Sequence, residues 1–280
     1  MTVDLDVLRN ATEELLRTRG VFDIDAYGWL NENDEDPKFI GYAMWALSPP
    51  YAHDFDGWQN NTPPGRAPTE AEQQLMELGH DFFGLMKTAR HFIGHALLHQ
   101  PAVPPIRIEP TAFDFSEFAA LVALTSAADR LRDFIIVTML RKKPERGANK
   151  QCERNWAYDK LRLAGLGVEA DALEEGFKAI LKARKARNEV VHGLATLPAH
   201  REKLLIAAER KAFEEKRWHA ANDREAPYHE HEDVIRELDA KELADVEARA
   251  KLLCDSYVTL VKLGELSFRT ENVWRHRQKS

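Results

Sequence analysis

Cysteine is scarce in this chain, whose 280 residues include only Cys152 and Cys254. Two cysteines cannot build a disulfide framework, and their spacing matches no metal-ligand pattern, so we interpret both as reduced thiols of a cytoplasmic protein. Long apolar runs are lacking too: the longest, residues 134–140, is far shorter than the ~18 residues of a membrane span, and we assign it to a helical core. The acidic residues after Met1 differ from the basic start of a signal peptide. We therefore expect no membrane association.

Sequence signatures of several enzyme classes are missing as well. The chain has no glycine-rich phosphate loop, no G-x-S-x-G nucleophile elbow and no dinucleotide-binding fingerprint. Its net charge of −7 counts against nonspecific binding along nucleic acid, although a local basic cluster can still bind RNA. Such a cluster lies between Lys178 and Arg187, where five of ten residues are lysine or arginine.

Apolar residues make up 44% of the chain and recur at helical spacing, which predicts a mainly helical protein with a sizeable core. We predict helices over about residues 69–97, 116–143, 153–164, 171–192, 199–220 and 239–268. The fourth opens with the capping pair Asp171 and Glu174, and the last with Asp239 and Glu242.

No strand pair with a hairpin turn and no internal repeat is evident. The predicted fold is therefore all-α: a helical bundle of long antiparallel helices over residues 111–280. Residues 1–110 form a helical and irregular N-terminal segment that packs on the bundle, and the proline-rich stretch 101–110 acts as the linker. Residues 229–233, which read His-Glu-His-Glu-Asp, are predicted to lie in a polar loop before the last helix.

The predicted helix over residues 171–192 has polar side chains on its packed face. At about 100° per residue, Arg184, Arg187 and Asn188 fall within the apolar stripe, and His192 lies at its edge, one turn beyond Asn188. The opposite side carries Lys178, Lys182, Lys185 and Glu189. Burying an unsatisfied polar group costs about 1–3 kcal/mol, so the two arginines either pair with carboxylates of a neighbouring helix or line a cleft.

Residues 187–193, which read Arg-Asn-Glu-Val-Val-His-Gly, resemble the R-N-x-x-x-H motif of the HEPN superfamily. Members of that superfamily are helical-bundle proteins, and many are metal-independent ribonucleases of toxin and defence systems. Two looser matches, Arg90–His95 and Arg224–His229, lack the asparagine, and Pro227 interrupts the second. Only Arg187–His192 combines the asparagine with two valines, a helix-ending glycine and adjacent basic charge.

The resemblance implies a ribonuclease that needs neither a metal nor a cofactor. Arg187 would contact phosphate oxygens, Asn188 would orient the phosphate or the imidazole, and His192 would transfer protons near neutral pH. It further implies that two motifs face each other across a homodimer cleft and leave a 2′,3′-cyclic phosphate on the cleaved RNA. The implied partners are RNA, a second copy of the chain, and an antitoxin or other regulatory protein.

Further residues are assigned to the surroundings of this site. Lys182, Arg184 and Lys185 extend the basic charge and are candidates for binding RNA phosphates. HEPN proteins tend to place a polar or acidic residue on an adjoining long helix, where this chain has Asp129 and Asp133. Asp133 is the candidate to contact Arg187 or His192 from that helix. For both carboxylates we favour the alternative, which is pairing with Arg130, Arg132 or Arg184.

Three histidines, His91, His95 and His99, share one stripe of a predicted helix, and two histidines at this spacing can chelate a metal. Because no acidic third ligand lies nearby in the sequence, we predict no metal site.

Two other functions stay open for the chain. One is a HEPN-like domain that has lost catalysis and binds a nucleotide or a protein partner. The other is a helical interaction protein in which the motif is a coincidence. The distinguishing feature is whether Arg187 and His192 point into an open basic groove shared by a dimer or are buried in ion pairs.

Overall fold

The computed structural model describes residues 5–22, 24, 70–102, 111–140, 150–193, 206, 210–211, 213–222 and 230–277. Every regular element in these ranges is an α-helix, which confirms the predicted all-α bundle. Seven helices are α1 (Leu5–Thr18), α2 (Glu70–Leu98), α3 (Ala112–Leu140), α4 (Lys150–Leu163), α5 (Gly167–Ala179), α6 (Leu181–Gly193) and α7 (Glu230–Arg277). Residues 213–221 are helical as well, in agreement with the helix predicted up to about residue 220. In the described ranges, no helix has both the length and the apolar character that crossing a bilayer requires.

Helices α2 and α3 form an antiparallel pair at the centre of the bundle. Arg130 Nε lies 3.2 Å from Asp81 Oδ2. Asp81 precedes the end of α2 by about as many residues as Arg130 follows the start of α3, which shows that the two helices run in opposite directions. Helix α2 buries residues at the predicted helical spacing, including Phe82 and Ile93. Helix α3 is buried on most sides, and its run 134–139 is fully inside, which confirms its assignment to the core.

Helix α7 completes the core against this pair. The ring of Phe268 packs edge-on against Phe82 of α2, at 6.1 Å between centroids, and against Phe134 of α3, at 5.0 Å. Earlier in α7, Arg249 reaches the start of α3, so α7 runs parallel to α3 and antiparallel to α2. All seven helices contribute to one continuous core, and α1 and α2 share it with the helices after residue 111.

Helix α3 begins one turn earlier than its predicted start at Ser116. The backbone N–H of Thr111 donates to Asp114 Oδ2 at 2.8 Å, and the backbone N–H of Asp114 donates to Thr111 Oγ1 at 3.3 Å. This reciprocal arrangement is a capping box in which aspartate takes the place of the usual glutamate. The predicted start was wrong by a turn because this cap begins the helix at Ala112.

An ion cluster joins the start of α3 to α7. Arg249 donates through Nη2 to Asp114 Oδ1 at 2.6 Å and through Nε to Glu117 Oε1 and Oε2 at 3.0 and 2.9 Å. Its guanidinium also lies 5.0 Å from the centre of the Phe113 ring. Burial raises the pKa of the Glu117 carboxyl, and the charge of Arg249 opposes that shift. The cluster is stable only while all three charged groups are present together.

Helix α7 also begins earlier than predicted. Residues 230–233, expected in a polar loop, are helical, and the helix continues without a break through Asp239 to Arg277. No glycine or proline lies between Glu230 and Asp239, so nothing there interrupts the backbone. The prediction of a loop at 230–233 and of a helix end at about Phe268 was therefore wrong. Residue 229, the first of the predicted loop, lies outside the described ranges.

The single helix predicted over residues 171–192 is divided into α5 and α6. Helix α5 begins at Gly167, and Asp171 does not cap it but binds Arg162 of α4 at 2.8 Å. Ile180 forms a turn between the two helices, with ψ at −14°, although backbone hydrogen bonds continue across it. Gly165, in contrast, has φ of +75° and ends α4 as the sequence predicted.

Helix α5 crosses α7 at very close range, at Gly176. A Cβ atom at this position would lie 2.9 Å from Leu263 Cγ and closer still to one of its methyl carbons. Leu263 is buried in the core and has little room to move. The crossing therefore requires glycine, although glycine is unfavourable inside a helix.

We predict that Gly176→Ala lowers the free energy of unfolding by about 1–2 kcal/mol. Overpacking a core costs about 1–3 kcal/mol, which outweighs the gain of up to ~1 kcal/mol from helix propensity. Gly84→Ala is the matched control, because a Cβ there meets no atom within 4 Å. It should raise the stability by about 0.5–1 kcal/mol. Urea unfolding measures both, and equal effects of the two substitutions would contradict the tight crossing.

Candidate functional site

The motif residues lie in the last two turns of α6. Arg187, Asn188 and His192 all have helical backbone, so His192 follows Asn188 by about one turn. The side chain of His192 lies outside the described part of the structure, as do those of residues 190–191. Gly193, predicted just beyond the helix, is its last described residue.

Arg187 is half-buried between α6 and α3. Its Nε and Nη2 both donate to Oδ1 of Asn188, at 3.3 and 2.9 Å, and its Nη1 donates to Thr125 Oγ1 of α3 at 3.3 Å. Both partners are neutral, and Arg187 forms no ion pair with any residue whose side chain is described. These contacts therefore hold the guanidinium in place without neutralising its charge.

Asn188 is exposed rather than part of the apolar stripe, so that part of the prediction was wrong. Ala183, Arg184 and Arg187 face the interior of the bundle, and Asn188, one position beyond Arg187, points away from it. The amide of Asn188 is consequently accessible from solvent.

Arg184 forms an ion pair with Asp129 of α3. Oδ1 of Asp129 also lies 3.4 Å from Nη1 of Arg132, which follows on the same helix. Arg132 is buried, and its guanidinium lies 4.9 Å from the centre of the Phe177 ring. For Asp129 this confirms the structural alternative, pairing with nearby arginines. Asp133 is half-buried on the same helix, and its support of the motif stays a prediction.

The other basic residues of α6 face solvent. Lys182 is exposed, and so is Lys185, whose Nζ lies 3.7 Å from Glu189 Oε1. An exposed pair of this type contributes only about 0.3–0.5 kcal/mol. An open pocket of about 440 Å³ runs along this face and is lined by Leu181, Arg184, Lys185, Asn188 and Glu189. Its two cations each lie beside a carboxylate, Arg184 beside Asp129 and Lys185 beside Glu189, so the pocket is close to neutral.

The looser motif at residues 90–95 has a structural role instead. Arg90 of α2 binds Glu13 of α1 through both terminal nitrogens, at 3.0 and 2.5 Å. This pair helps to hold α1 on α2, where the two helices approach closely at Gly94. The other loose match, at residues 224–229, lies outside the described residues.

The histidine stripe of α2 is exposed over its whole length. The ring centroids of His91 and His95 are 5.0 Å apart, and those of His95 and His99 are 5.6 Å apart. Partial burial and the two neighbouring histidines lower the pKa of His95. Within the described residues, no three histidine, cysteine or acidic side chains are placed to hold a metal ion.

Sequence reasoning missed Thr125, which contacts Arg187 from α3. Thr125 is fully buried in an otherwise apolar part of that helix. A buried hydroxyl needs hydrogen-bond partners, so a threonine inside an apolar run was a usable signal. The sequence could not indicate that its partner would be an arginine 62 residues away.

Comparisons of the chain with models of protein families, with curated proteins and with solved structures found no match. The functional interpretation of α6 therefore depends on its own residues and on the short motif at 187–193.

We predict that the ion pair between Arg184 and Asp129 anchors α6 on α3 with a coupling free energy of about 0.5–1 kcal/mol, because both side chains are partly shielded from solvent. A double-mutant cycle with Arg184→Gln and Asp129→Asn, followed by urea unfolding, measures this coupling. The exposed pair of Lys185 and Glu189 is the control and should couple more weakly. Equal coupling in the two cycles would contradict the anchoring role.

Proposed function

We propose that this chain is a metal-independent endoribonuclease of the HEPN type, which cleaves RNA by attack of the ribose 2′-hydroxyl on the adjacent phosphate. The observation that carries the proposal is the bonding of Arg187, whose partners in the described structure are an amide and a hydroxyl rather than carboxylates. A guanidinium that keeps its charge beside the exposed Asn188 is suited to phosphate oxygens. The resemblance of residues 187–193 to the R-N-x-x-x-H motif supplies the reaction class.

In the proposed reaction, the 2′-oxygen bonds to phosphorus as the bond from phosphorus to the 5′-oxygen breaks. The 2′-hydroxyl gives up its proton to a base, and the departing 5′-oxygen takes one from an acid, which leaves a 2′,3′-cyclic phosphate and a 5′-hydroxyl. His192 is assigned to this proton transfer because imidazole titrates near neutrality. Arg187 stabilises the charge on the phosphate oxygens, and Asn188 orients the phosphate or the imidazole.

The place of the motif on α6 also has an electrostatic consequence. The C-terminal end of a helix carries a partial negative charge of about half an elementary charge, which favours a protonated histidine but opposes a phosphate. The exposed lysines of the same helix, Lys182 and Lys185, act against that repulsion. A second α6 across a homodimer cleft would double their effect. We therefore propose a homodimer that binds RNA between two α6 helices.

The proposed biological role is that of a toxin or defence effector in the cytoplasm, held in check by an antitoxin or another regulatory protein. This role follows from the HEPN resemblance alone. With a net charge of −7, most of the protein repels RNA, and only the basic surface of α6 attracts it. This distribution of charge fits an enzyme whose access to RNA is controlled.

A second candidate function is a HEPN-like domain without catalysis that binds a nucleotide or a protein partner. The contacts of the two arginines favour it, since Arg184 pairs with Asp129 and Arg187 bonds to Thr125, and both contacts join α6 to α3. In that case the arginines serve helix packing, and the open pocket beside Asn188 holds a ligand that is not cleaved.

We predict that the purified protein cuts single-stranded RNA in the presence of EDTA and leaves 2′,3′-cyclic phosphate ends. Arg187→Ala and His192→Ala should each lower the cleavage rate by at least about a hundredfold, the usual range for losing a charge-stabilising or proton-transferring group. Gel analysis of an end-labelled RNA measures the rate, and treatment that opens the cyclic phosphate identifies the end.

Arg269→Ala and His99→Ala are matched controls, because each removes an exposed side chain of the same type from elsewhere, Arg269 from α7 and His99 from the turn just after α2. Both should cleave at the parental rate. A parent protein that cuts no RNA, or a His192→Ala variant that cuts as fast as the parent, refutes the nuclease. A parent that binds nucleotides or RNA without cutting supports the second candidate instead.

A further inference from the structure

Thr125 is the one residue of α3 to which Arg187 is hydrogen-bonded in the described structure. We infer that Thr125 is a positioning residue, whose hydroxyl orients the Arg187 guanidinium for phosphate while leaving its positive charge intact. This inference rests on the proposed function of Arg187 as the phosphate-binding group. It assigns a role to a residue that lies outside the R-N-x-x-x-H motif and on a different helix.

The direction of the hydrogen bonds supports this role. The Thr125 hydroxyl donates its proton to the backbone oxygens of its own helix, to Leu121 at 2.8 Å and to Val122 at 3.2 Å. Its oxygen is thereby left to accept from Nη1 of Arg187. Because Thr125 is fully buried, water does not compete for this oxygen, and the acceptor stays fixed.

The remaining donors of Arg187 are then left for a ligand. A guanidinium has five N–H groups. Nε and Nη2 each give one to Asn188, and Nη1 gives one to Thr125. One N–H on each terminal nitrogen therefore has no partner among the described residues. Two such donors match the paired oxygens of a phosphate, which arginine commonly binds in a bidentate manner.

A comparison with Arg184 shows why the partner is a hydroxyl. Arg184 lies one turn earlier on α6 and contacts the same helix through the carboxylate of Asp129, which neutralises it. Arg187 contacts α3 through a neutral group and keeps its charge. The two arginines thus attach α6 to α3 in a similar way, but only Arg187 retains the electrostatic attraction for an anion.

The test is Thr125→Val, which preserves the shape of the side chain and removes the acceptor. We expect the single-turnover rate of RNA cleavage to fall about tenfold or more, because a misoriented guanidinium stabilises the transition state poorly. Thr125→Ser keeps the hydroxyl and should stay close to the parental rate. Thr138→Val is the matched control, since Thr138 is also buried in α3 and donates to its own helix, at Phe134 O, 2.9 Å.

A second readout separates this inference from the nuclease proposal. The NMR resonance of the Arg187 Nε–H group reports the setting of the guanidinium whether or not the protein cuts RNA. It should shift in Thr125→Val and stay in place in Thr125→Ser and Thr138→Val. An unshifted resonance, or cleavage by Thr125→Val at the parental rate, overturns the positioning role. A shifted resonance in a protein that cuts no RNA shows that Thr125 holds Arg187 but that the proposed function is wrong.

Discussion

The arrangement of the bundle depends on an ion cluster in which Glu117 of α3 is buried and its two partners, Asp114 of α3 and Arg249 of α7, are partly buried. Charges are removed from water at a high cost and persist there only in a well-formed group. The cluster therefore fixes how far α7 lies along α3, because a shift by one turn would strand two carboxylates. With that register set, Phe268 packs between α2 and α3, and α5 can cross α7 at Gly176.

Helix α6 obtains its position from this framework, since it follows directly from α5 and lies on α3. Two arginines on successive turns attach it there, and they differ in electrostatic outcome: Arg184 is neutralised by Asp129, whereas Arg187 is held by a hydroxyl. The same helix thus combines a packing contact with a retained charge.

The existence of the helices could be predicted because apolar spacing records which faces are buried. The ends of the helices depend on local capping and on the absence of helix-breaking residues, as at the Thr111 cap and at the unbroken polar start of α7 at Glu230. At the site, the sequence indicated which polar residues share α6, but not that the helix is divided at Ile180 or that Asn188 is exposed. The contact with Thr125 could not be foreseen either, since it joins residues far apart in the chain and depends on how α6 settles against α3.

The position of α7 in the chain has a consequence for biosynthesis. It is the last of the seven helices to leave the ribosome, yet it covers apolar surface on α2, α3 and α5 and carries the counter-charge for the start of α3. A nascent chain that stops before Arg249 leaves Glu117 without its partner and cannot close the core. Folding of the bundle is therefore completed only after translation has passed that helix.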